Sequence, residues 1–97
     1  MKIKMLSEFS RWFKEQKDHL LKTKILKRLD QLEQGNFGDY KSIGEGISEL
    51  RINYGPGYRI YYTLRSNTIV ILLCGGDKSN QKTDIEKAKK LSKGVSI

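Results

Sequence analysis

Hydrophobic positions change their period along the chain. Phe9, Trp12 and Phe13, with Gln16 extending the stripe, are spaced as one face of a helix that Ser7 can cap. From Asp18 onward, Leu21, Ile25, Leu29 and Leu32 fall at i, i+4, i+8 and i+11, which predicts a second helix. Its opposite face carries Lys22, Lys24, Lys27 and Arg28, and Gly35 stands where a left-handed residue would end it. The two segments predict an antiparallel helical hairpin. The short alternating run "MKIKML" before them predicts an edge strand, whose lysines discourage edge-to-edge association.

"GNFGDYKSIGEG", with four glycines and an asparagine between Gly35 and Gly46, predicts a loop. Beyond it the period drops to two. Strands are expected at about Ile47–Asn53, Tyr58–Arg65 and Thr68–Cys74, joined by Gly55-Pro56-Gly57 and by Ser66-Asn67. Thr83 and Glu86 have capping-box spacing and predict a final helix through about Lys93. The expected fold class is α+β: an N-terminal helical hairpin packed on a small antiparallel sheet, with a C-terminal helix, in one domain spanning residues 1–97.

Strand period then sorts the side chains. A three-residue loop at Gly55–Gly57 puts Leu50, Ile52, Tyr58, Ile60, Tyr62 and Leu64 on one face, under the helices. The other face receives Glu49, Arg51, Asn53, Arg59, Tyr61 and Thr63, with Arg51 and Arg59 diagonal neighbours and Tyr61 directly beside Arg51. A two-residue turn at Ser66-Asn67 sends Ile69, Ile71 and Leu73 to the core face and Val70, Leu72 and Cys74 to the arginine face. That second face is thus half apolar and needs a cover, from Ile85, Ala88 and Leu91 of the last helix or from a partner protein. The segment "GGDKS" brings Asp77 and Lys78 to the rim of the resulting groove. For a single arginine, a solvated outer face is the commoner explanation. Two arginines with Asn53 and Tyr61 on one patch suit a phosphate site equally well, with Glu49 partly neutralising their repulsion.

Charge moves the balance further. Nineteen Lys and Arg against eleven Asp and Glu leave a net charge of +8 on 97 residues, which favours nucleic acid or an acidic protein as partner. No apolar run approaches the ~20 residues of a membrane span, and the first residues lack the apolar segment of a secretory signal. A single cysteine, Cys74, reads as a buried reduced thiol. These features point to the cytoplasm. There is no GxSxG and no Cys-His pair, the lone His19 sits at a helix start, and no spacing suggests a metal site. The glycine-rich segments lack the lysine of a phosphate-binding P-loop, so no cofactor is expected. Basic residues with a tyrosine and a carboxylate suit RNA strand scission, in which a 2′-hydroxyl attacks the adjacent phosphate. Arginine forks stabilise the extra phosphoryl charge. Lys41, Lys78, Asp77 and Tyr61 are the available proton carriers, and composition does not choose among them.

The runs "GNFGDYKSIGEGISELRINYGPGYRIYY" and "LLCGGDKSNQKTDIEKAKKL" resemble the addiction-module killer proteins, HigB-like members of the RelE/ParE superfamily of type II toxins. The likeness runs from about Phe9 to Leu91. It implies a bacterial or phage-derived toxin neutralised by a cognate helix-turn-helix antitoxin. RelE and HigB relatives cleave mRNA in the ribosomal A site, so the resemblance also implies the ribosome with its mRNA as a partner. Arg59 matches the strand arginine that contacts the scissile phosphate in RelE-type toxins, and Arg51 matches a lysine on the preceding strand. Lys78 falls where those toxins have an arginine after the last strand. The chain departs from the pattern at Glu49, in place of a second strand lysine, and at Thr83 and Asp84, near their C-terminal tyrosine. It also lacks the histidines of HigB-type sites.

The resulting expectation is a metal-independent mRNA endoribonuclease. Arg59 and Arg51 hold the phosphate, Lys78 assists, Lys41 or Asp77 carries a proton, and Tyr61 and Asn53 contact RNA. A ParE-like inhibitor of DNA gyrase and a non-catalytic basic RNA-binding module are the alternatives. The antitoxin is expected to cover the basic face or displace the C-terminal helix.

Overall fold

Asp18 shows how local chemistry starts an element. Its carboxylate accepts from the Leu20 and Leu21 backbone N–H groups at 3.0 and 3.2 Å and so caps the second helix. In the computed structural model, which describes residues 1–95, the order is β1 (Lys2–Met5), α1 (Ser7–Glu15), α2 (His19–Glu33) and β2 (Tyr40–Gly44), then β3 (Ile47–Ile52), β4 (Tyr58–Arg65) and β5 (Ile69–Asp77). A 3₁₀ turn at Lys78–Asn80 leads into α3 (Gln81–Lys93). Gly35 ends α2 with φ +85°, and the Asn36 N–H reaches back to the Gln31 carbonyl at 2.8 Å. The other two expected caps do not form. Ser7 is already the first residue of α1, and α3 begins at Gln81, which leaves Thr83 inside its first turn.

The sheet differs from the one expected. It has five strands in the order β1-β5-β4-β3-β2, and it is mixed, because β1 pairs with β5 in parallel from Lys2–Ile69 to Met5–Leu72. The segment read as a loop contains β2, antiparallel to β3 from Tyr40–Leu50 to Gly44–Ile47. The expectation of a helical hairpin on a small antiparallel sheet is therefore corrected. The helix pair, which shares one apolar cluster, lies against a larger five-stranded mixed sheet, with α1 chiefly on β5. Phe9, Leu21, Ile25, Leu29 and Leu32 bury themselves against Leu50, Ile52, Ile60, Tyr62, Val70 and Leu72 on this face. On the opposite face α3 covers Ile47, Tyr61, Ile71, Leu73 and Cys74 with Ala88, flanked by Ile85 and Leu91.

Turn length decides which of the predicted faces survive. Ile52 pairs with Tyr58, so the β3–β4 connection runs from Asn53 to Gly57, two residues longer than expected. A slip of two preserves the period, and the β3 and β4 faces stand as predicted. In β5 the slip is one residue. Arg65 pairs with Ile69 across a three-residue turn in which Ser66 and Asn67 take φ +55° and +56°. Val70 and Leu72 therefore face α1 and α2, while Ile69 and Ile71 face α3, the reverse of the prediction. A bulge between the Tyr61–Cys74 and Tyr62–Leu72 pairs returns Cys74 to the arginine face.

Gly75 and Gly76 thin β5 on both faces. A Cβ at Gly75 would lie 2.5 Å from Trp12 Cε3, and the Trp12 ring is itself packed on Phe9, with centroids 5.8 Å apart. Gly75→Ala is expected to destabilise by about 1–3 kcal/mol through overpacking. Thermal unfolding reads this directly, and adding Trp12→Leu should recover most of the loss.

The Asp18 cap carries a pH signature. Its second oxygen accepts from the Tyr54 hydroxyl at 2.7 Å, and this bond above all, then the backbone donors, holds the carboxyl below its ordinary value. A depressed pKa contributes stability above the unfolded value of about 4, lost as pH falls through the folded one. Thermal unfolding between about pH 5 and pH 2 should show a shallower decline for Asp18→Ala than for the wild type.

Candidate functional site

The candidate site grows from one buried carboxylate on the α3 face of the sheet. Glu49 is 1% exposed at the centre of β3. A carboxylate in that position needs partners, and its strand neighbours supply them. Its Oε2 lies 3.1 Å from Arg51 Nε and 2.7 Å from Arg59 Nε. The Arg51 contact is a hydrogen bond. The Arg59 Nε–H is not aimed at the oxygen, so that contact is a close ion pair without hydrogen-bond alignment. Gln81, the first residue of α3, donates to the remaining oxygen at 3.2 Å.

Register explains the convergence. Arg51 and Arg59 stand directly opposite each other, closer than the predicted diagonal, with Glu49 opposite Tyr61 one step along. On the other side Lys41 of β2 pairs with Glu49, so its exposed side chain rises on the same face. Both arginines engage Glu49 through Nε alone. Among the described residues their Nη atoms make no hydrogen bond, which leaves the two guanidinium forks without protein partners and a single carboxylate between them.

Arg59 also lines an open cleft of about 290 Å³ with Lys78 and the Asn53–Gly57 turn. Gly57 takes φ +86°, and a Cβ there would sit 3.8 Å from both Arg59 Nη1 and Lys78 Cβ. The turn thus touches both cationic side chains. The Lys78 N–H donates to the Gly57 carbonyl at 2.9 Å and ties the end of β5 to the same turn.

The structure thus brings Arg51, Arg59, Lys41 and Lys78 around Glu49 and the turn, with exposed Asn53 on the cleft wall. Two other predicted residues are placed differently. Asp77 caps the 3₁₀ turn, accepting from the Ser79 N–H at 2.8 Å and from the Ser79 hydroxyl. Those bonds hold its carboxyl below the ordinary range, and its register partner is Tyr58, on the helix-pair face of the sheet. Tyr61 is fully buried beneath α3. Burial first, then the nearby Glu49 and Asp84 carboxylates, pushes its phenol well above the usual tyrosine range, so it stays neutral and out of reach of a ligand while α3 is docked.

Two residues that build the cluster escaped the sequence. Gln81 has no sequence signal, since it reaches Glu49 only because α3 crosses the sheet there. Arg28 looked like part of a solvated helix face. Its guanidinium instead binds the carbonyls of Phe37 at 3.0 Å, Asp39 at 3.2 Å and Arg51, and so fastens β3 and the chain entering β2 to α2. Desolvation lowers its pKa from the ordinary arginine value.

Residues 11–93, which include every side chain of this cluster, match the family described as "Phage derived protein Gp49-like". The chain belongs to the phage-derived Gp49-like family. A protein of Haemophilus influenzae strain Rd, described as an uncharacterized protein, is 45% identical over 97 residues, covering 100% of this chain and 98% of the relative. The Gp49-like family is a toxin–antitoxin-associated family of RelE-like toxins, and membership implies an antitoxin as partner. Among the described residues, no helix is long and apolar enough to cross a membrane.

Proposed function

We propose that this Gp49-like protein is the toxin of a type II toxin–antitoxin pair and acts as a metal-independent endoribonuclease on mRNA held by the ribosome. The observation that carries the reading is the Arg51–Arg59 pair, held by Glu49 through Nε with the Nη atoms unbonded and Arg59 lining a cleft. A guanidinium fork suits two phosphate oxygens at once and stays charged throughout a reaction. As the ribose 2′-oxygen attacks phosphorus, the two forks meet the charge that builds on the non-bridging oxygens. Lys78, on the cleft wall beside Arg59, returns a proton to the departing 5′-oxygen. Lys41, across Glu49 on β2, adds positive charge on the far side of the phosphate, and the 2′ proton passes to solvent water. Asp77 is already engaged by Ser79 and is left out of the chemistry. The product pair is a 2′,3′-cyclic phosphate and a 5′-hydroxyl.

Primer extension on an mRNA bound to purified ribosomes tests the proposal. New 5′ ends in the A-site codon, absent when ribosomes are omitted, are the expected result. Intact mRNA from a folded protein that arrests growth would reject it and direct the next assay to gyrase supercoiling.

A further inference from the structure

A second basic cleft lies on the opposite side of the Asn53–Gly57 turn. It holds about 260 Å³ between α2 and the end of β3, and Lys24, Lys27, Arg28 and Gln31 line it with Ile52 and Asn53. No acidic side chain is in the lining. Asn53 lines both clefts, so the α2 cleft and the Arg59–Lys78 cleft are neighbours across that residue. The cations here have separate duties. Arg28 spends its N–H groups on backbone carbonyls and contributes charge to the wall. Lys24 and Lys27 are exposed, and the Lys24 ammonium rests 5.5 Å from the centroid of the Tyr54 ring. Tyr54 is pinned in turn by the bond from its hydroxyl to Asp18 at 2.7 Å, so the ammonium is held at the cleft by a braced ring.

We infer that the α2 cleft is a phosphate-backbone subsite for RNA. The strand whose scissile phosphate lies at Arg51 and Arg59 continues over the Asn53–Gly57 turn and places a neighbouring stretch of backbone against Lys24 and Lys27. This rests on the reading of the protein as an RNA-directed toxin and adds a binding track that the reaction itself does not require. The lysines act as point charges on a sequence-independent backbone, so the subsite supplies affinity and orientation without base choice.

The test measures salt dependence by fluorescence anisotropy. The probes are a labelled single-stranded RNA, 2′-O-methylated to block scission, purified small ribosomal subunits, and a DNA duplex of equal length. Lys24→Ala/Lys27→Ala is compared with the wild type, with Lys24→Arg/Lys27→Arg and with Arg59→Ala. Loss of two phosphate contacts should reduce the slope of log K against log salt by about 1.4 on single strands, and the arginine pair should restore it. A reduction on both RNA probes assigns the track to any RNA strand. A reduction on ribosomal subunits alone moves the lysines to ribosomal RNA and overturns the track for the scissile strand. An unchanged slope on both RNA probes, or an equal reduction on the DNA duplex, overturns the inference. Arg59→Ala keeps the two distinguishable: failure of the nuclease reading leaves mRNA uncut by the wild type, while the lysine-dependent slope persists in Arg59→Ala.

Discussion

Arg59→Ala should lower single-turnover cleavage of ribosome-bound mRNA by about 10²- to 10³-fold, the usual consequence of removing one preorganised donor from a developing oxyanion. Arg59 is the side chain for which this loss should be greatest. Its side chain is only 13% exposed, its Nε is buried, and it alone of the two arginines lines the Lys78 cleft. Arg51, at 33% exposure, sits further toward solvent and should cost less when truncated. Both variants should fold, since each leaves Glu49 with the other arginine and Gln81. Wild-type cleavage by a folded Arg59→Ala protein would remove the phosphate role from this residue.

Glu49→Ala should have the opposite profile, with stability as its first casualty. Truncation leaves the two guanidiniums facing each other across β3 and β4 without their shared counter-charge, and Arg59 is too deep to turn away. Removing one partner of a buried ion pair costs about 3–5 kcal/mol, and partial exposure of Arg51 moves the expectation to the lower end. A loss of about 3 kcal/mol lowers Tm by roughly 12–24 °C in a domain of this size. Glu49→Gln keeps an acceptor for Arg51 and should fall between. Deleting both partners is informative: if Glu49→Ala/Arg59→Leu recovers stability over Glu49→Ala alone, the cost lay in the stranded charge. A Tm for Glu49→Ala equal to that of the wild type would show that the carboxylate does not hold the arginines in place.

The parts of this architecture that were legible in the sequence are those governed by local period. Leu21, Ile25, Leu29 and Leu32 are all buried as their spacing required, because a helix face is set within four residues. Arg51 and Arg59 share a face with Glu49 for the same reason, and an error of two residues in the loop length left that intact. An error of one residue at Ser66–Thr68 reversed β5, because whether a two- or three-residue turn forms rests on left-handed Ser66 and Asn67, which are not glycines. β2 was hidden by composition. Tyr40, Lys41 and Ser42 are exposed, and two residues with positive φ, Glu45 and Gly46, follow the strand, so pairing with β3 and not apolar alternation defines it. The parallel contact of β1 with β5 left no mark in the sequence, since nothing near Lys2–Met5 specifies a strand from the far end of the chain. At the site, the paired arginines were legible, whereas Gln81 and the shelter over Tyr61 depend on where α3 crosses the sheet.

The pairing of β1 with β5 also sets an order in time. A chain emerging from its N-terminus exposes β1, α1 and α2 first, yet their sheet does not exist until β3, β4 and finally β5 have followed. β3 and β4 are joined by a short turn, so Glu49, Arg51 and Arg59 meet through a local, rapidly closing hairpin. Fastening β1 beside Ile69–Leu72 is the long-range step that contact order makes slow. The arginine cluster is thus expected to gather before the sheet is complete. Maturation of this fold ends at the sheet edge farthest from β2, where the earliest-made strand finds its partner last.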